Sequence, residues 1–156
     1  MNPYMRVVGA ILATFGAGSV GFLFVDTDVS GWYATLQKPL LNPPDSVFIV
    51  VWLFLYTLMS AAFAIIWTKE PQTEQTAQWV RFYFIQLLFN AMWTFLFFGF
   101  HTIILAFFDI LFLNFIVLGL IAGACTIDKR AAYLLAPYMA WLLFAAYLNV
   151  GLWFLN

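Results

Sequence analysis

At 156 residues, 65% of them hydrophobic, 21% aromatic and only 8% charged, the chain lies far from a soluble domain, where about a quarter of residues carry charge. A mean hydropathy of +0.96 suits a protein surrounded by hydrocarbon, so an integral membrane protein is expected. A formal net charge of −1 offers no basic footprint and excludes nucleic acid as an expected partner.

Five apolar stretches follow one another, approximately Tyr4–Val25, Val47–Thr68, Trp79–Phe100, Ile103–Thr126 and Ala131–Leu155. Each approaches the roughly 20 residues that a helix needs to cross ~30 Å of hydrocarbon. The expectation is an all-α membrane protein: one domain over residues 1–156, a bundle of five transmembrane helices with a long ordered loop between the first two. Within the first stretch the run Val7 to Val25 is longer than the apolar core of a secretory signal, has only Arg6 before it and lacks a small-x-small cleavage site, which predicts a permanent span. Its Gly9, Ala13, Ala17 and Gly21 form a small-residue seam suited to close helix packing, within one bundle or between two protomers.

The loop begins at Asp26-Thr27-Asp28 and continues from Gly31 to Pro44 with Trp32, Tyr33, Lys38 and three prolines. A flexible linker would favour Gly, Ser and charge. Paired aromatics, a cation and prolines predict instead a cover packed on the mouth of the bundle.

In the second stretch Trp52, Tyr56, Met59, Phe63 and Trp67 recur at helical spacing, as a binding face or as a packing or lipid-facing stripe. The third places Gln86, Asn90, Trp93 and Phe97 on one face. Leaving an amide unpaired in hydrocarbon costs several kcal/mol, so this face is directed inward, towards other helices, a ligand or water. His101, the sole histidine, has neither a second histidine nor the cysteine beside it; a turn residue is expected there rather than an iron ligand.

Asp109 is the one carboxylate deep in an expected span, a structural group or a transport group. Gly119 and Gly123 make a GxxxG pair, and the single Cys125 is expected to be a small buried hydrophobe. In the last stretch Pro137 removes a backbone donor near Tyr138 and Trp141, and Ala145 leaves room between Trp141 and Asn149, for a ligand or for close helix packing.

Arg6, Lys69, Arg81, Lys129 and Arg130 fall on the amino-terminal side of the five stretches and only Lys38 on the other. That asymmetry predicts a cytoplasmic amino terminus, with the long loop facing the periplasm in a bacterial cell membrane.

Taken in order, Trp32-Tyr33 through Lys38-Pro39, Asn42-Pro43-Pro44, Trp52, the run Gln86 to Trp93, Phe97-Phe98-Gly99, Pro137 to Trp141 and Leu148-Asn149 resemble the TspO/MBR family, the tryptophan-rich sensory proteins and translocator proteins. The resemblance implies a five-helix, homodimeric membrane protein whose first loop covers a pocket for tetrapyrroles such as protoporphyrin IX and haem, for sterols and for isoquinoline carboxamides. By position it assigns Trp52, Asn90, Trp93, Tyr138, Trp141 and Ala145 to that pocket, with Trp32 and Tyr33 in the lid. No resident cofactor or metal is implied; porphyrin or haem enters as ligand. Trp52 and Trp141 match the tryptophans linked to light-dependent porphyrin breakdown, the enzymatic alternative to a sensory, scavenging or transport role. Many relatives carry Trp at the positions of Leu41 and Ser46 and Pro at that of Phe95, which implies a lid poorer in aromatics and a straighter third helix. The sterol motif of animal members needs Tyr and Arg where Val150 and Phe154 stand, which argues against sterol transport.

Overall fold

The computed structural model describes residues 2–25, 31–69 and 71–156, so the Asp26-Thr27-Asp28 segment lies outside the described residues. The elements are α1 (Pro3–Val25), α2 (Trp32–Thr35), α3 (Asp45–Trp67), α4 (Glu74–Thr94) continued by a π-helical turn (Phe95–Gly99), α5 (Ile103–Ile127) and α6 (Lys129–Leu155). Five helices are long and apolar enough to cross a membrane, and no strand occurs among the described residues.

Helix limits follow local chemistry as well as hydropathy. α4 starts five residues before the apolar stretch at Trp79, because Thr73 builds a reciprocal cap: its hydroxyl accepts from the Thr76 N–H at 3.2 Å, and the Thr76 hydroxyl accepts from the Thr73 N–H at 2.8 Å. α6 starts at Lys129, where the Asp128 carboxylate accepts from the Arg130 N–H at 3.0 Å. Two carbonyl ends receive cations: Arg6 donates to the Trp67 carbonyl at 3.0 Å and Lys69 to that of Ile127 at 2.5 Å, each at the negative end of a helix dipole.

Neighbouring helices run in the order α1, α3, α6, α5, α4 and back to α1, with α3 and α4 also in contact across the ring. The small-residue seam of α1 is spent inside the protomer. Ala10 is fully buried, Ala13 and Ala17 pack on the core, and Gly9 lies so near the Trp67 ring that a Cβ there would come within 2.9 Å. The stripe on α3 is interior packing, with Met59 and Phe63 fully buried and Phe63 stacked on Trp67 at 4.9 Å and on Tyr83 at 4.3 Å.

Phe95 opens a π turn at the end of the third span, closed by the Phe100 N–H donating to the Phe95 carbonyl at 3.0 Å. One expectation is corrected. Cys125 is exposed on the outer face of α5, because its neighbour Ala124 takes the inward position. Pro137 is exposed as well, and α6 runs through it unbroken.

Candidate functional site

Three polar side chains from the third and last spans meet one from α3 in a buried chain of hydrogen bonds. The Tyr56 hydroxyl donates to Asn90 Oδ1 at 2.8 Å, Asn90 Nδ2 donates to the Tyr138 hydroxyl at 3.0 Å, and that hydroxyl donates to Gln86 Oε1 at 3.0 Å. Tyr138 and Gln86 are completely buried and Asn90 nearly so. Gln86 and Asn90 share a face because they stand four residues apart on α4, and Tyr138 sits between their amides from across the ring.

Trp52 closes one side of this chain. Its ring lies 5.3 Å from that of Tyr56, one helical turn further along α3, and 6.3 Å edge-on from that of Tyr138. Trp141 stands one turn beyond Tyr138 on α6, half-buried and edge-on to Phe48 at 5.8 Å; Phe48 precedes Trp52 by one turn. Ala145, a further turn along, packs on the same core.

Trp93 links this group to a second cluster. It stacks on Phe97 at 5.1 Å, and Phe97 in turn supports the lid: the Trp32 ring lies 5.5 Å and the Tyr33 ring 6.1 Å from it. Trp32 also stacks on His101 at 4.3 Å. His101 is the turn residue expected, with φ of 55°, a left-handed conformation that histidine tolerates better than most residues. The Tyr33 hydroxyl donates to Asn42 Oδ1 at 3.1 Å, and Lys38 Nζ sits 4.2 Å above the Tyr33 ring. Burial pushes the Tyr33 phenol above its ordinary pKa, with the Asn42 hydrogen bond partly offsetting it.

The sequence-derived residues therefore divide into an inner set (Trp52, Asn90, Tyr138), with Trp141 and Ala145 along the same α6 face, and a lid set (Trp32, Tyr33) joined to it through Trp93. Tyr56 and Gln86 complete the polar chain. Both lie on faces legible from spacing, but their partners are set by tertiary contact. Other buried polar atoms have no hydrogen-bond partner among the described residues: Gln86 Nε2, Trp93 Nε1, Asp109 Oδ2, Asn114 Oδ1 and both amide atoms of Asn149. Most buried polar groups are satisfied by protein or water, so unpaired donors beside the inner set and under the lid leave hydrogen-bonding capacity for a guest or for solvent. Asp109 is among them, buried on α5.

A membrane-spanning five-helix bundle, with indoles and amides gathered inside it and an aromatic lid across one end, defines the class of protein. Residues 10–154 match the TspO/MBR family. The chain is 37% identical over 150 residues to the "Tryptophan-rich protein TspO" of Chlorobaculum tepidum, covering 96% of this chain and 92% of that one. It is 35% identical over 149 residues to the "Tryptophan-rich sensory protein" of Cereibacter sphaeroides, covering 96% and 90%, and 33% identical over 152 residues to the human "Translocator protein", covering 97% and 90%. The chain belongs to the TspO/MBR family and is an integral membrane protein of the tryptophan-rich sensory and translocator protein kind.

Proposed function

We propose that this protein binds tetrapyrroles, protoporphyrin IX and haem among them, between α3, α4 and α6 beneath the lid, and that this binding serves a sensory, scavenging or transport role. The observation that carries the reading is the buried run Tyr56, Asn90, Tyr138 and Gln86 alongside Trp52. Indole and phenol faces suit a flat macrocycle, and the amides and hydroxyls offer its polar edge hydrogen bonds in an interior that excludes water. Gln86 Nε2 and Trp93 Nε1 hold unused donors beside these rings. In the described state the aromatic rings pack on one another, so admission of a macrocycle requires the lid and Trp52 to move apart.

The tetrapyrrole is ligand rather than resident cofactor, and the membrane is a bacterial cell membrane with the amino terminus in the cytoplasm. The support for that orientation is the basic set Arg6, Lys69, Arg81, Lys129 and Arg130 against Lys38 alone. The protein acts as a homodimer, as the family resemblance implies; the α1 seam, already occupied by α3 and α4, is not the interface.

Titration with protoporphyrin IX, followed by quenching of tryptophan fluorescence, tests the site. Trp52→Phe, Asn90→Ala and Trp141→Phe are each expected to weaken binding several-fold to about tenfold, roughly 1.4 kcal/mol at the upper end. Quenching and affinity unaltered in all three variants would remove this interior from consideration.

A further inference from the structure

The outer face shared by α4 and α5 carries a groove that the tetrapyrrole site does not use. It encloses about 450 Å³, with Phe82, Phe115, Ile116 and Gly119 along it and Trp79 beneath, a volume in the range of ~300–1,000 Å³ typical of small-molecule sites. The floor is fixed: Trp79 is buried, its indole N–H donates to the Leu120 carbonyl at 2.8 Å, and its ring stacks on Tyr83 at 5.4 Å. Gly123 lets that ring lie flat against α5, since a Cβ there would come within 3.1 Å of it. Over Gly119 the space is open, with nothing within 4 Å of the point where a Cβ would stand.

The two ends of the groove differ. Towards the middle of the helices its walls are apolar. At the start of α4 it is lined by Gln75 and Gln78, and it adjoins a depression formed by Glu74, Gln78 and Arg81. The Arg81 guanidinium pairs with the Glu74 carboxylate, and the Gln78 amide makes no hydrogen bond among the described residues. An apolar trough inside the hydrocarbon that ends in a carboxylate, an amide and a guanidinium at the membrane boundary has the polarity profile of a lipid.

A second helix is a poor occupant. Close helix association over a glycine pair needs a flat surface of small residues, and here Phe115, 72% exposed, and Phe82, 44% exposed, stand proud on either side of Gly119. An acyl chain is narrow enough to lie between them. The head-group end is electrically balanced, one acid against one base. It complements a zwitterion better than an anion, which would meet Glu74. A quaternary ammonium has no N–H to donate to that carboxylate, whereas a primary ammonium has three.

We propose that this groove is a site for one phospholipid whose zwitterionic head group carries a primary ammonium. One of its two acyl chains lies over Gly119, its phosphate meets Arg81 and Gln78, and its ammonium meets Glu74. The charge-assisted contacts give the head group its selectivity.

Native mass spectrometry of the detergent-purified protein, after exchange with equal amounts of phosphatidylethanolamine, phosphatidylcholine and phosphatidylglycerol, tests this. The wild type is expected to retain one phosphatidylethanolamine, several-fold in preference to the other two. Gly119→Leu, which fills the trough where space is open, and Arg81→Gln are each expected to lower retention about tenfold, while Gly16→Leu, on an open outward position of α1, leaves it unchanged. Glu74→Gln is expected to move the preference towards phosphatidylglycerol. Equal retention of the three lipids, or retention indifferent to Gly119→Leu, overturns the proposal. So does a dimer that becomes monomeric in Gly119→Leu with its lipid unchanged, which would assign the glycine surface to a second copy of the chain. Protoporphyrin titration of the same variants is a separate readout and is expected to stay unchanged.

Discussion

Gly151 of α6 lies directly against Pro39 of the lid, so near that a Cβ on the glycine would stand 2.8 Å from the proline Cβ. Beside this contact the Gln37 N–H donates to Asn156 Oδ1 at 2.9 Å and Asn156 Nδ2 donates to the Gln37 carbonyl at 3.0 Å. The lid is thus seated on the last two turns of α6. Gly151→Val places atoms where the proline ring now sits, and such overpacking costs about 1–3 kcal/mol. The ring cannot swing aside as the end of a long side chain would, so the lid lifts while the helix, relieved of a glycine, holds. Amide hydrogen exchange over residues 32–42 is expected to accelerate about tenfold or more, with little change in the midpoint of thermal unfolding. Unchanged exchange would show that the lid does not depend on this contact.

The Tyr138 hydroxyl both accepts from Asn90 and donates to Gln86. Tyr138→Phe therefore strands two buried polar atoms at once, at about 1–3 kcal/mol for each unsatisfied group. Tyr56→Phe strands only Asn90 Oδ1 and is expected to cost about half as much, about 1–3 kcal/mol in all. In a double-mutant cycle, Tyr138→Phe and Gln86→Leu are expected to couple by more than about 0.5 kcal/mol. Denaturation in detergent measures all of these; equal costs for the two phenylalanine variants, or additive behaviour in the cycle, would contradict the network.

Asp128 supplies the pH dependence of the corner between α5 and α6. The Arg130 side chain, above all, holds its carboxyl well below the usual carboxylate range, with further help from the Arg130 N–H and from Lys69. A depressed folded-state pKa means that its stabilisation is complete above the unfolded value of ~3.9 and disappears as pH falls through the lower folded value. Asp128→Asn keeps the cap, since an Asn side chain accepts from the Arg130 N–H as well as Asp does, and is expected to lose about 0.5 kcal/mol near neutrality, the scale of a partly exposed ion pair. The gap between wild type and variant should stay constant down to about pH 4 and close below it. A gap that closed near neutrality would reverse the assignment.

The spans are legible in the sequence because hydrocarbon imposes one solution on twenty apolar residues, and the inward face of α4 because two amides cannot be left in lipid. The lid is legible from prolines and aromatics packed into a dozen positions. What spacing does not contain is the identity of partners: that Tyr56 rather than another residue of its stripe meets Asn90, or that Gln37 finds Asn156 119 residues away. A helix start is read late where a polar first turn, such as the one capped by Thr73, carries no hydropathic signal. The burial expected of Cys125 fails because α5, whose Asp109 and Asn114 are both buried, has no polar outer side to mark which direction is out.

The cover is fastened at both flanks, by Trp32 on His101 beside the start of α5 and by Gln37 on Asn156 at the end of α6. A strap with two clasps does not swing like a trapdoor; it peels from whichever side lets go first. Releasing the histidine stack uncovers one flank of the interior, and releasing the amide pair uncovers the other. Each flank is thus held by a small contact of its own at the rim, which a point mutation can weaken without altering the packed interior beneath.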